Sequence, residues 1–231
     1  MKLDNKRTIL TGFAFLSICA FWQMYNSIVP LILTNTFHLN ETYSGAIMAA
    51  DNILALFLLP LFGSISDRTN TKIGKRMPFI LFGTGLAIIL MNILPIIDNS
   101  YAAAPSTFKT VSFVVVLGLL LVAMGTYRSP AVALMPDITP KPLRSKGNAI
   151  INLMGALGGV IYLGVAAVMY PNSKVAGLAH VNYQPLFIVV ASIMFVAVAI
   201  LFLTIKEPKL IEEQRKLEAE HPEWNLAQDE G

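Results

Sequence analysis

Six long apolar stretches dominate the chain, each separated from the next by a short run of turn-forming and charged residues. Every stretch reaches the roughly 20 residues that a helix needs to cross a hydrocarbon core of about 30 Å. Backbone N–H and C=O groups find no partners in lipid, so a helix that bonds them internally is the physical solution. The pattern predicts spans over 8–33, 43–65, 77–97, 111–135, 147–170 and 185–205. The joints fall at Asn35–Asn40, Ser66–Pro78, Asp98–Ser106, Pro136–Pro142 and Pro171–Pro185, all rich in turn formers. The first apolar run follows Lys2, Lys6 and Arg7, as a secretion signal would. It continues to Leu33 with no small-residue cleavage site, so it is expected to stay in place as the first span.

The spans differ in the little polarity they carry. The third offers Thr84 and Asn92 and the sixth Ser192 and Thr204, so both are expected to face lipid. The first carries Gln23, Asn26 and Ser27, the second Asp51 and Asn52, the fourth Arg128, and the fifth Asn148 and Asn152. Polar groups at membrane depth need partners or water. Spans one, two, four and five are therefore expected to enclose a polar cavity. On the fifth, Asn148, Asn152, Gly155, Gly159 and Tyr162 recur at helical spacing on one face. Its Gly155–Gly159 pair is expected to admit a close helix crossing. Past Ile205 the chain changes character. Lys209–Glu220 has helical spacing with Leu210, Ile211 and Leu217 on one side, and His221-Pro222 interrupts it. Residues 1–205 thus read as an all-α transmembrane domain, and 206–231 as a partly helical cytoplasmic segment.

Composition sharpens this picture. Charged residues make up 13% of the chain and hydrophobic ones 55%, whereas a soluble domain carries about 25% charged residues. Residues 1–205 hold 13 Lys and Arg against six Asp and Glu, while 206–231 hold four against eight. Placing the N-terminus, the second and fourth connections and the tail in the cytoplasm puts 14 basic residues on that side. Only Lys109 and Lys174 lie opposite, so both termini are expected inside. No basic patch is interleaved with aromatics, which argues against a nucleic-acid partner. A single cysteine, Cys19, excludes an intrachain disulfide, and the scattered His38, His180 and His221 give no metal spacing. No phosphate loop or nucleophile–base pair appears, so neither an enzyme nor a cofactor is expected.

Two charges lie deep in spans. Arg128 costs at least ~2.5 kcal/mol in lipid, so it faces a cavity, a carboxylate or a hydroxylated ligand, or else pairs structurally with a helix end. Asp51 lies within the second span, where desolvation favours a bound proton; the alternative is a vestibule position in water. With Arg128 it forms a candidate pair coupling protonation to solute binding. Gln23, Asn26 and Asn152 are candidate cavity residues. Trp22 is a candidate recognition surface, or equally a packing residue.

The strongest motif joins spans two and three: Gly63-Ser-Ile-Ser-Asp67-Arg68-Thr-Asn-Thr-Lys72-Ile-Gly74-Lys75-Arg76-Met-Pro78. Anchoring to the cytoplasmic leaflet explains the basic residues but not Gly63, Asp67 and Gly74 at these offsets. At these residues the chain resembles the major facilitator superfamily. The expanded form is similar to its glycoside–pentoside–hexuronide and sucrose-transporter branch. Tyr127-Arg128-Ser-Pro-Ala-Val-Ala-Leu-Met-Pro136-Asp137-Ile-Thr139 resembles the pattern that closes the fourth helix of the sucrose type.

The resemblance implies the N-terminal six-helix half of a twelve-helix fold, itself a 3+3 inverted repeat. It implies an inside gate at Gly63, Asp67, Arg68, Gly74, Lys75, Arg76 and Asp137. It also implies alternating access for a sugar or related solute in a plasma membrane (the inner membrane of a bacterium). Sodium-coupled relatives carry carboxylates where this chain has Ala55 and Leu59, so a proton is the expected coupling ion. The chain holds one half and the start of a central linker, so its expected partner is a C-terminal six-helix half, from the same full-length chain or a second subunit. A parallel homodimer and a non-transporting scaffold or remnant stay open as alternatives.

Overall fold

The computed structural model describes residues 3–222 and 224. It has six long helices, as many as the apolar stretches predict. They are α1 (Asn5–Leu31), continued by a π-turn over Ile32–Thr36, α2 (Glu41–Arg68), α3 (Met77–Ala103), α4 (Thr107–Asp137), α5 (Arg144–Met169) and α6 (Gln184–Thr204). A short turn over Asn172–Val175 lies between α5 and α6, and α7 (Glu207–Glu220) follows the last span. All six long helices are long and apolar enough to cross a membrane, which makes this a multi-pass membrane protein.

Local chemistry sets the helix starts. The Asp4 carboxylate accepts from the Arg7 N–H at 3.0 Å, and the Asn40 side chain accepts from the Tyr43 N–H at 2.9 Å. Each satisfies an N–H group that the first helical turn leaves free. Pro78 occupies the first turn of α3, where a missing N–H costs nothing. Pro30, Pro60, Pro95, Pro130 and Pro136 lie inside helices. Each removes a backbone bond, which neighbouring helices and local adjustment can offset at membrane depth.

α1 packs along α5 and α6, α4 packs along α2 and α3, and α3 meets α6. Exchanging α1–α3 with α4–α6 turns the α1–α5 pair into α4–α2 and the α1–α6 pair into α4–α3. The packing thus has the pairing of a 3+3 repeat. Glycines allow the closest approaches. A Cβ on Gly158 would run into the Leu16 backbone of α1, and one on Gly155 would lie 2.9 Å from the Cys19 sulfur. A Cβ on Gly83 of α3 would lie 2.7 Å from the Tyr127 backbone nitrogen of α4. The crossing expected at Gly155 and Gly159 is therefore made by Gly155 and Gly158; Gly159 has room to spare.

Two further expectations change. α3 and α6 do not simply face lipid: each buries one side against the bundle and exposes the other, through Phe82 and Ile89 on α3 and Phe195 and Leu203 on α6. The most uncovered helices are α2 and α5. α3 also runs to Ala103 rather than 97. Asp98 therefore lies within the helix and is fully buried, so Asp51 is not the sole acidic residue inside a span.

Candidate functional site

α1, α2 and α4 converge on one small cavity, lined by Trp22, Asp51, Leu54, Ala55, Leu58, Leu59, Leu121, Gly125 and Arg128. Gly125 brings α4 close to α2, since a Cβ there would stand 3.2 Å from that of Leu58. Ser129 then donates to the Leu59 carbonyl at 2.7 Å and fastens the same two helices. The Arg128 guanidinium lies over the Trp22 ring, 5.7 Å from its centroid. A cation held against an indole face gains electrostatically from the ring quadrupole. Among the described residues no carboxylate pairs with Arg128 within 4.0 Å, so its hydrogen-bond donors stay open to the cavity.

The cavity walls also hold unsatisfied polar atoms. Trp22 Nε1 and Asp51 Oδ1 are buried without a hydrogen-bond partner, as is the hydroxyl of Tyr25, whose ring packs against that of Trp22. Buried polar groups are normally paired, and an orphan needs a reason such as a ligand or water. Here donors, an acceptor, an aromatic face and a cation meet in one place. The enclosed volume is about 20 Å³. That is enough for one water, and a larger solute would need more of the pathway around it.

The second cluster lies where α2 ends and α3 begins. Arg76, nearly buried, forms ion pairs with Asp67 and, at 2.9 Å, with Asp137 at the end of α4. Its guanidinium also donates to Ser66 and, at 3.3 Å, to the Gly63 carbonyl. Lys75 reaches the same carboxylates, at 3.0 Å from Asp137 and 3.6 Å from Asp67. Gly63 keeps α2 against α4, where a Cβ would stand 3.1 Å from the Ser129 oxygen. Two cations thus tie the end of α2 to the end of α4. Arg68 is exposed and points outside this network.

Glu207, fully buried at the start of α7, completes the cluster and escaped the sequence reading. Its carboxylate accepts from the backbone N–H groups of Lys75 and Arg76 at 2.9 Å, and of Met77 at 2.9 Å. These are the free donors at the start of α3, where the helix dipole also favours a negative charge. Gly74, with φ +118°, leaves the space Glu207 occupies. α7 docks further along: Arg7 pairs with Glu213 at 3.5 Å, and Arg144 with Glu218 at 3.7 Å.

The remaining expected residues scatter. Gln23 is half-buried beside Gly159 of α5, and Asn26 and Asn152 are exposed. α5 contributes nothing to the lining of the cavity. The expected four-helix enclosure is a three-helix one among the described residues. Polarity alone could not separate a residue turned to the cavity from one on an uncovered face.

The model of the Major Facilitator Superfamily matches residues 11–227. Sucrose transport protein SUC3 of Arabidopsis thaliana is 30% identical over 154 residues, covering 61% of this chain and 25% of that protein. Sucrose transport protein SUT3 of Oryza sativa subsp. indica is 31% identical over 123 residues, 47% of this chain and 24% of the relative. Alpha-ketoglutarate permease of Escherichia coli (strain K12) is 27% identical over 195 residues, 81% of this chain and 41% of the permease. The chain spans between a quarter and two-fifths of the length of these curated relatives.

Proposed function

The chain belongs to the Major Facilitator Superfamily, and on that premise we propose that it forms one wall of a secondary transporter carrying a sugar or a related small polar solute by alternating access. The observation that carries this reading is the Arg128–Trp22 pair, set beside the unpartnered Trp22 Nε1 and Asp51 Oδ1 in a cavity between α1, α2 and α4. Indole stacking against a sugar ring, with guanidinium and carboxylate meeting its hydroxyls, suits a polyol better than an apolar ligand. The sucrose transport relatives point to the same substrate class. The unpaired Arg128 favours one further reading, a small dicarboxylate, in keeping with the permease relative.

The second wall comes from another six-helix unit, in the same natural protein or a second copy, set against the uncovered faces of α2 and α5. The Asp67–Arg76–Asp137 cluster acts as the inside gate, closing the cytoplasmic end when the cavity faces outward, in a plasma membrane. Asp51 carries the coupling proton. A membrane carboxylate that is neutral when protonated can cross between exposures, while its charged form is held back.

The test is uptake by the intact natural protein in liposomes, with labelled sugars and a dicarboxylate offered separately. Sugar uptake that rises with inward proton drive and collapses with an uncoupler supports the account. Uptake that is unchanged from about pH 5.5 to about pH 8, across the histidine range, and indifferent to the uncoupler rejects proton coupling. Uptake of the dicarboxylate alone rejects the sugar.

A further inference from the structure

Asp98 lies 21 residues beyond Met77 along α3, about 30 Å at 1.5 Å per residue, and so at the end of the bundle opposite the gate. It has no solvent exposure, and neither carboxylate oxygen makes a well-formed hydrogen bond, although the Thr36 hydroxyl faces the group. One basic group stands near: His180 Nε2, from the connection between α5 and α6, at 3.8 Å. The cavity and the gate use neither residue.

The hydrogen bonds around His180 fix the role of one ring nitrogen. The Gln184 backbone N–H donates to Asn182 Oδ1 at 2.9 Å, so that atom is an acceptor. Asn99 Nδ2 donates to it at 2.8 Å, which leaves Asn99 Oδ1 as the acceptor facing His180 Nε2 at 2.8 Å. Nε2 therefore carries a hydrogen. Nδ1 lies 3.3 Å from the Thr36 hydroxyl of the π-turn that ends α1, and can accept from it or donate to it. Three elements meet at this ring: the end of α1, the end of α3 and the α5–α6 connection.

A buried carboxylate is stable when neutral or beside a cation, and far less so bare. The other titratable group facing Asp98 is Tyr183, from the same connection as His180. On α4, Lys109 is turned to the carbonyls of Ser100 and Ala104, and the π-turn after α1 presents the Thr36 hydroxyl. Among the described residues His180 is the one cation-forming group within 4.0 Å of the carboxylate.

We propose that Asp98 and His180 form a one-proton site that locks this end of the bundle. The closed arrangement holds a single proton, on the Asp98 carboxyl or as imidazolium beside carboxylate. Opening parts the α5–α6 connection from the π-turn and lets water reach the pair. The proton then passes to water, leaving carboxylate and neutral imidazole, and no other bond changes. Wherever the open arrangement has given up that proton the closed state holds one more, so opening grows with rising pH, by up to about tenfold per unit.

The test is hydrogen exchange of the intact natural protein in lipid nanodiscs, from about pH 5.5 to about pH 8.5, with intrinsic exchange rates divided out. Segments 32–40 and 176–183 are expected to hold steady protection at the acid end and lose it progressively above the imidazole range. Asp98→Asn, neutral at every pH, abolishes the loss of protection above the imidazole range. His180→Gln leaves the proton to the carboxyl alone, so protection begins to fall from about pH 4, the ordinary aspartate range, and is lower throughout. This second variant keeps the test open if Asp98→Asn does not fold. Flat protection in the unaltered protein, or an unaltered slope in either variant, overturns the proposal. The readout involves no transport, so it stands or falls apart from the function proposed above.

Discussion

Glu207 fills the space that a side chain at Gly74 would need: a Cβ on Gly74 would lie 2.9 Å from that of Glu207 and closer still to its carboxylate. The φ of +118° at Gly74 turns the chain so that three successive N–H groups point at that carboxylate. The loop after α2, the start of α3 and the start of α7 are thereby one unit. Gly74→Ala combines backbone strain of about 1–3 kcal/mol with a steric clash, and is expected to lower the melting temperature in detergent markedly. Glu207→Gln keeps an acceptor and loses the charge. It is expected to cost less, on the order of 1–2 kcal/mol, the difference between charged and neutral hydrogen bonds. Thermal unfolding followed by tryptophan fluorescence ranks the two.

The two carboxylates paired with Arg76 are not equivalent. Asp67 is more than half exposed and Asp137 largely covered, while the Arg76 side chain they share is 5% exposed. Solvent weakens the first pair far more than the second. Asp137→Asn is therefore expected to expose the Asp137 end of α4 to a water-soluble thiol reagent, read at a cysteine introduced there, more than Asp67→Asn does. Equal labelling in the two variants contradicts this ordering.

The α1–α5 crossing discriminates between two neighbouring glycines. Gly158→Ala drives a methyl into the Leu16 backbone, whereas a Cβ at Gly159 comes no closer than 4.0 Å to Gln23 Oε1. Overpacking of this kind costs about 1–3 kcal/mol, more where the obstacle is backbone. The expected order of unfolding temperatures is the unaltered protein together with Gly159→Ala, then Gly158→Ala well below.

Much of this architecture is legible in the chain itself. Six apolar stretches of spanning length leave little choice but six helices, and the family resemblance carried by the 63–78 and 127–139 motifs implies that Gly63, Asp67, Lys75, Arg76 and Asp137 belong together. What was missed has physical causes. Asp98 and Asn99 look like a turn because hydropathy ends there, yet the helix continues under cover of the α5–α6 connection. Glu207 opens an acidic tail in sequence, and its partners lie 130–132 residues away, beyond any local pattern. A four-residue glycine spacing suggested Gly155 with Gly159, but Cys19 and the Leu16 backbone of α1 lie against Gly155 and Gly158. Asn26 and Asn152 share the polarity of cavity residues and differ from them only in direction, which composition does not encode.

Asp51 gives a separable prediction. Removing a coupling carboxylate should abolish proton-driven accumulation and leave exchange of solute for solute intact. In Asp51→Asn, uphill uptake is expected to vanish while counterflow persists. Loss of both together would assign Asp51 to solute binding instead.

The central claim is that Arg128 and Trp22 hold the transported solute, and counterflow of labelled sugar tests it most directly. The intact natural protein, its Arg128→Ala variant and its Arg128→Lys variant are compared at equal membrane abundance. Arg128→Ala is expected to lose at least about tenfold in counterflow, as when a buried charged hydrogen bond of 1.5–3 kcal/mol is removed. Arg128→Lys keeps the charge but not the planar stack, and is expected to fall between the two. Full counterflow in Arg128→Ala would show that the solute is held elsewhere.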